Sequence, residues 1–172
     1  MQELRLHRRL ALFLFAVPIA VALLLFRFDF AGLPGAGPGM RLKVDLSERK
    51  LYVIEDGETV QTYSIAVGTP NHPTPTGTFR TGRIVWNPSW NPPNSEWARG
   101  EKPRAPGDPK NPMRGVKIYF REPSYYIHGT NDPESIGTAA SHGCIRMTEG
   151  DATALARRIE NAGGSVPLVI EP

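Results

Sequence analysis

A chain of 172 residues that is 40% hydrophobic and 22% charged has the composition of a globular protein. Its net charge of +3 sits mostly in the first thirty residues, where Arg5, Arg8, Arg9 and Arg27 face only Glu3 and Asp29. Residues 41–172 are close to neutral, so the basic balance gives no argument for a nucleic-acid partner, and a single cysteine excludes a disulfide framework.

The chain opens with a basic start and then an apolar run from Leu10 to Phe26, interrupted only by Pro18. A transmembrane helix needs about 17–25 apolar residues, and this run reaches the lower end of that range. The excess of arginine before the run places the N-terminus in the cytoplasm and the rest of the chain outside. A cleaved signal peptide has an apolar region of about 7–15 residues. The longer run here, followed by Arg27-Phe28-Asp29-Phe30, favours an uncleaved N-terminal transmembrane helix. Residues 1–30 are therefore read as a membrane anchor or signal segment, 31–40 as a Gly/Pro linker, and 41–172 as one exported domain. With no cysteine after the run, lipid attachment there is excluded.

The exported domain begins as strands. Leu42, Val44 and Leu46 alternate with polar residues, Leu51–Ile54 is β-branched and aromatic, and Asp56-Gly57 signals a tight hairpin turn into Thr59–Val67. Gly68-Thr69-Pro70 and Pro73-Thr74-Pro75-Thr76-Gly77 form a rigid turn before extended chain over Thr78–Trp86. Residues 86–112 hold seven prolines, which disfavours regular structure. The interleaved Trp90 and Trp97 indicate an ordered loop that covers something. Strand character returns at Val116–Phe120 and Tyr125–His128. One helix follows, capped by Thr148 with Asp151 three residues on, with Ala152, Leu155, Ala156 and Ile159 on its apolar face and Gly163-Gly164 as its stop. Val166–Ile170 is a last strand. The expected fold is mostly β, a sandwich or barrel with one packed C-terminal helix.

The chemistry concentrates between His128-Gly129-Thr130 and Ser141-His142-Gly143-Cys144-Ile145-Arg146-Met147. Exported compartments are oxidising and cysteines there usually pair. Cys144 has no partner in its own chain, and it lies near two histidines, which points to nucleophilic catalysis at a carbonyl. A neighbouring imidazolium, or N–H groups aimed at the sulfur, would lower the thiol pKa from about 8.5, and the motif offers both. His128, near a strand end, is the favoured base. The turn at Gly129 frees a main-chain carbonyl to orient it, and His142 shapes the turn. The N–H groups of Gly143 and Cys144 are candidates for an oxyanion hole. Arg146 binds a substrate carboxylate or makes a structural ion pair. A zinc site of His128, His142 and Cys144 is the weaker alternative, since it lacks a fourth ligand.

These residues resemble the signature of the L,D-transpeptidase catalytic domain. The resemblance extends through Val44–Val53, Ile65–Gly68, Pro73–Phe79, Asn91–Pro93 and Gly107–Pro112, and covers about residues 41–170. It implies a β-sandwich-like fold, no metal or organic cofactor, and peptidoglycan stem peptides as substrates. Cys144 then forms a thioester with the donor stem, His128 is the general base, Gly129 supplies the orienting carbonyl, and Gly143 with Cys144 forms the oxyanion site. Tyr126, Ser141, His142 and Arg146 fall on positions that shape the acyl pocket. The resemblance also implies reaction with carbapenems. Three alternatives stay open at this point: L,D-carboxypeptidase activity, attachment of a protein to peptidoglycan, and a wall-binding module without activity.

Overall fold

A computed structural model describes residues 39–172. The segment read as an anchor, residues 1–30, lies outside the described residues, as does most of the linker. The described chain starts as a meander, with β1 (Met40–Asp45) antiparallel to β2 (Lys50–Glu55) and β2 antiparallel to β3 (Glu58–Ser64). Asp56 and Gly57 between β2 and β3 take φ of +49° and +90°. A two-residue hairpin that follows the strand twist requires both in the left-handed region, and Asp-Gly accepts this readily. Alternation buries Leu42, Val44, Leu51 and Val53 on one face.

β4 (Val67–Gly68) is short, and β5 (Gly77–Arg80) and β6 (Ile84–Trp86) divide the stretch expected as one strand. The division has a local cause. Thr81 exchanges hydrogen bonds with Val166, its N–H donating to the Val166 carbonyl and its Oγ1 accepting from the Val166 N–H, both at 2.9 Å. The next residue, Gly82, donates its N–H to the Tyr119 carbonyl at 2.7 Å. Adjacent residues are thus bound to different sheets, and the chain crosses between them.

β7 (Arg114–Arg121) and β8 (Tyr125–Gly129) form an antiparallel pair. β9 (Ala139–Ser141) pairs parallel to β4, and β10 (Ile145–Met147) pairs parallel to β8. The helix α1 (Glu149–Asn161) and then β11 (Pro167–Glu171) complete the chain. The larger sheet has the order β3-β2-β1-β11-β5, and the second has the order β10-β8-β7-β6.

Thr148 Oγ1 accepts the Asp151 N–H at 3.1 Å, as its capping position predicts. Gly163 and Gly164, at φ of +99° and +83°, end the helix. Its stripe of Ala152, Leu155, Ala156 and Ile159 joins Val116, Ile118, Ile127, Ile145 and Met147 of the second sheet in one core with the buried faces of β1, β2 and β11. Among the described residues the fold is mostly β with one α-helix, as the pattern of that part of the chain predicts.

Candidate active site

The strand register builds the site. Ile118 pairs with Ile127, and Ile127 pairs with Ile145. All three are fully buried, so this row faces the core. The rows on either side therefore face outward. In one, Lys117 of β7 pairs with His128 of β8, which pairs with Arg146 of β10. In the other, Tyr119 pairs with Tyr126, and extending the β8–β10 register one residue brings Cys144 opposite Tyr126. Residues far apart in sequence thus share one outward face: two cations, an imidazole, two phenols and the thiol.

His128 is buried, at 2% exposure, and its Nδ1 lies 2.9 Å from the Gly129 carbonyl oxygen. Burial, helped by Arg146 and Lys117, pushes its pKa down to about 4 against the pull of that carbonyl. The imidazole is therefore neutral near pH 7. A proton on Nδ1 donates to the Gly129 carbonyl and leaves Nε2 as an acceptor. Gly129 has no room for a side chain, because a Cβ there would sit 2.3 Å from the Arg114 carbonyl oxygen.

Cys144 follows a turn closed by Ser141. The Ser141 hydroxyl donates to the Cys144 carbonyl at 2.5 Å and accepts the Gly143 N–H at 3.0 Å. Gly143 takes φ of +104°, and a Cβ there would meet the Tyr125 ring at 2.9 Å. The thiol donates to the Ser124 carbonyl at 3.4 Å rather than to His128. Burial pushes the thiol pKa up, opposed by the Tyr126 N–H and hydroxyl at the sulfur and by Arg146 and Lys117. Burial and the adjoining sulfur push the Tyr126 hydroxyl up in turn. The resting pair is thus a thiol and a neutral imidazole, not the imidazolium-activated thiolate expected from the motif, because the desolvation that neutralises His128 also disfavours a thiolate.

Two segments border this face. The buried Asn111 side chain knots the proline-rich loop: its Nδ2 donates to the Pro88 and Ala105 carbonyls at 2.9 and 3.0 Å, and its Oδ1 accepts the Met113 N–H at 2.8 Å. Trp90 is buried, whereas Trp97 stays 41% exposed and stacks on the His142 ring at 4.0 Å. The loop is ordered and reaches over the cysteine turn. On the other side, Gly68 admits the return of the chain, since a Cβ there would meet the His72 carbonyl at 2.2 Å. This return brings the His72 ring to 4.9 Å from that of His142.

Two sequence assignments change. The Gly143 N–H is occupied by Ser141 and is not a free oxyanion donor. Ser141, at 1% exposure, spends its hydroxyl inside the turn and does not reach substrate. The Tyr126 hydroxyl lies against the sulfur, within the region where the acyl group would form. Arg146 makes one loose ion pair, to Asp132 at 3.7 Å. His142 is exposed beside Trp97, outside the row of His128. Among the described residues no three His, Cys, Asp or Glu side chains converge on a metal position, so the zinc alternative finds no ligand set. The sequence reading missed Lys117, Tyr119 and Asn111. Lys117 and Tyr119 alternate with Val116, Ile118 and Phe120, and that alternation is a signal for their outward face.

Fold and site together define a mostly-β domain with a cysteine and a histidine on one outward sheet face. The family model for the L,D-transpeptidase catalytic domain matches residues 39–170, and the chain belongs to that family. It is 36% identical over 121 residues to a Bacillus licheniformis protein named as the L,D-transpeptidase YkuD, covering 70% of this chain and 61% of the relative. It is also 36% identical over 137 residues to the Escherichia coli K12 protein named as the L,D-transpeptidase ErfK/SrfK, covering 75% of this chain and 44% of that one. The chain thus spans less than two thirds of the length of both relatives. The fold is shared with L,D-transpeptidase 3 of Mycobacterium tuberculosis, solved with a faropenem-derived adduct, at a TM-score of 0.59 and 16% identity over 79% of this chain and 61% of that one.

Proposed function

We propose that this chain is a cell-wall L,D-transpeptidase that joins peptidoglycan stems by 3–3 cross-links through a thioester on Cys144. The observation that carries this reading is the neutral His128, held by the Gly129 carbonyl beside the outward row that contains the only thiol. A buried, neutral imidazole oriented by a backbone carbonyl is suited to take a proton near pH 7.

In the proposed acylation, the thiol turns from the Ser124 carbonyl toward His128. Its proton passes to Nε2 as the sulfur bonds to the carbonyl carbon of the third stem residue. The Cys144 N–H and the Tyr126 hydroxyl beside the sulfur are the proposed donors to the oxyanion that forms. As the intermediate collapses, the C–N bond breaks, and His128 returns its proton to the departing amine of the fourth residue, a D-amino acid. An amine on a neighbouring stem then attacks the thioester, gives its proton to His128, and forms the new amide. The sulfur leaves and is reprotonated. Arg146, loosely paired with Asp132, remains a candidate for a stem carboxylate other than that of the leaving residue, and His142 with Trp97 forms one wall. No metal or organic cofactor enters this scheme. The proposal includes an exported domain held at the cytoplasmic membrane by residues 1–30, facing the periplasm or wall, and acylation of Cys144 by carbapenem-type inhibitors.

Incubation with purified disaccharide-tetrapeptide tests the reaction. Mass spectrometry should find 3–3 stem dimers. Tripeptide monomers without dimers would assign the chain to L,D-carboxypeptidases instead. Transfer to a protein amine alone would make it a protein-attaching transferase, and binding without turnover would make it a wall-binding module.

A further inference from the structure

We propose that Lys117 binds the terminal carboxylate of the donor stem and so selects donors whose fourth residue ends in a free acid. The inference rests on the acylation reading above and adds a specificity-determining residue to it.

Lys117 sits on β7 between the buried Val116 and Ile118, so its side chain leaves the sheet on the outward face. Its ammonium lies 4.8 Å from the centroid of the Tyr126 ring and 5.0 Å from that of Tyr119. Those rings hold it over the row that continues to Cys144. Among the described residues no carboxylate forms an ion pair with Lys117, whereas Arg146, the other neighbour of His128, has Asp132 at 3.7 Å. A half-buried ammonium flanked by two aromatic faces and no carboxylate gains from a bound anion.

The chemistry identifies that anion. The group that protonates the leaving amine is His128, so the departing nitrogen must come within hydrogen-bond distance of it. The leaving residue carries its carboxylate on the same α-carbon as that nitrogen, two bonds away. The carboxylate therefore falls among the immediate neighbours of His128. Across the strands these are Lys117 on one side and Arg146 on the other, and only Lys117 lacks an acidic partner. A stem extended by a fifth residue presents a neutral amide at this point and gains nothing from the ammonium.

The test uses the 172-residue chain with Cys144→Ala, which removes turnover, and measures binding of disaccharide-tetrapeptide with either a free terminal carboxylate or a terminal primary amide. The free acid should bind about tenfold tighter, as expected for one charge-assisted hydrogen bond. Adding Lys117→Met should bring the two affinities together, and Lys117→Arg should keep most of the difference. Lys117→Gln serves as a second neutral variant if the Met form does not fold. Equal affinities in the Cys144→Ala parent, or a preference that survives in the neutral variants, would overturn the assignment. Thioester formation by the unmodified chain reports separately on the reaction. No thioester with an intact free-acid preference removes the reaction and keeps the Lys117 site, and a thioester with no preference does the reverse.

Discussion

His128 and Cys144 are both uncharged near pH 7, and this determines how the site responds to pH. A thiol held above its ordinary range by burial should react slowly with iodoacetamide at pH 7, with a rate still climbing above pH 9. A rate that levels off below pH 7 would instead show a thiolate–imidazolium pair. His128 makes a second prediction with a definite sign. Its folded pKa of about 4 lies below the ordinary 6.5, so between those values the unfolded chain binds a proton that the folded chain does not. The associated stability is fully present above pH 6.5 and is lost as pH falls through 4, by roughly 3 kcal/mol in all. Denaturant midpoints at pH 7 and pH 4 should show this loss, and His128→Asn should flatten it. An unchanged slope in the variant would place the acid sensitivity elsewhere.

At the level of elements, the proline-rich loop depends on one buried amide. Asn111→Ala removes three hydrogen bonds and strands the Met113 N–H, at a cost of about 1–3 kcal/mol for the buried donor left unpaired. Amide exchange across residues 87–113 should accelerate while β1 and β2 stay protected, and unaltered loop exchange would refute the knot. The sequence made the longer elements readable for local reasons. Asp56-Gly57 announced the β2–β3 turn, and Thr148 with Gly163-Gly164 bounded α1. β4, β9 and β10 were not readable, because two or three residues are too few for alternation to register. The β5–β6 break was hidden too, since it arises where Thr81 and Gly82 bond to residues far away in the chain.

Across the whole molecule, the two sheets and α1 share one core, and the reacting residues occupy the opposite face of the second sheet. Cys144 and His128 stood out in the sequence through the type and spacing of their neighbours. Lys117 and Tyr119 did not, because their place beside His128 and Tyr126 exists only once β7, β8 and β10 pair. The Ser141 hydroxyl was misjudged for a different reason: its partners are only two and three residues away, but residue type alone does not show whether a serine bonds its own turn or faces outward. The central claim is a thioester on Cys144 formed with His128 as base. Intact mass spectrometry after incubation with disaccharide-tetrapeptide, without an acceptor, tests it most directly. The account predicts a mass gain equal to the donor less its terminal D-amino acid, located on Cys144 and absent from Cys144→Ala. With His128→Ala the adduct should form at least about a hundredfold more slowly. No adduct on Cys144, or formation at an undiminished rate without His128, would contradict the account.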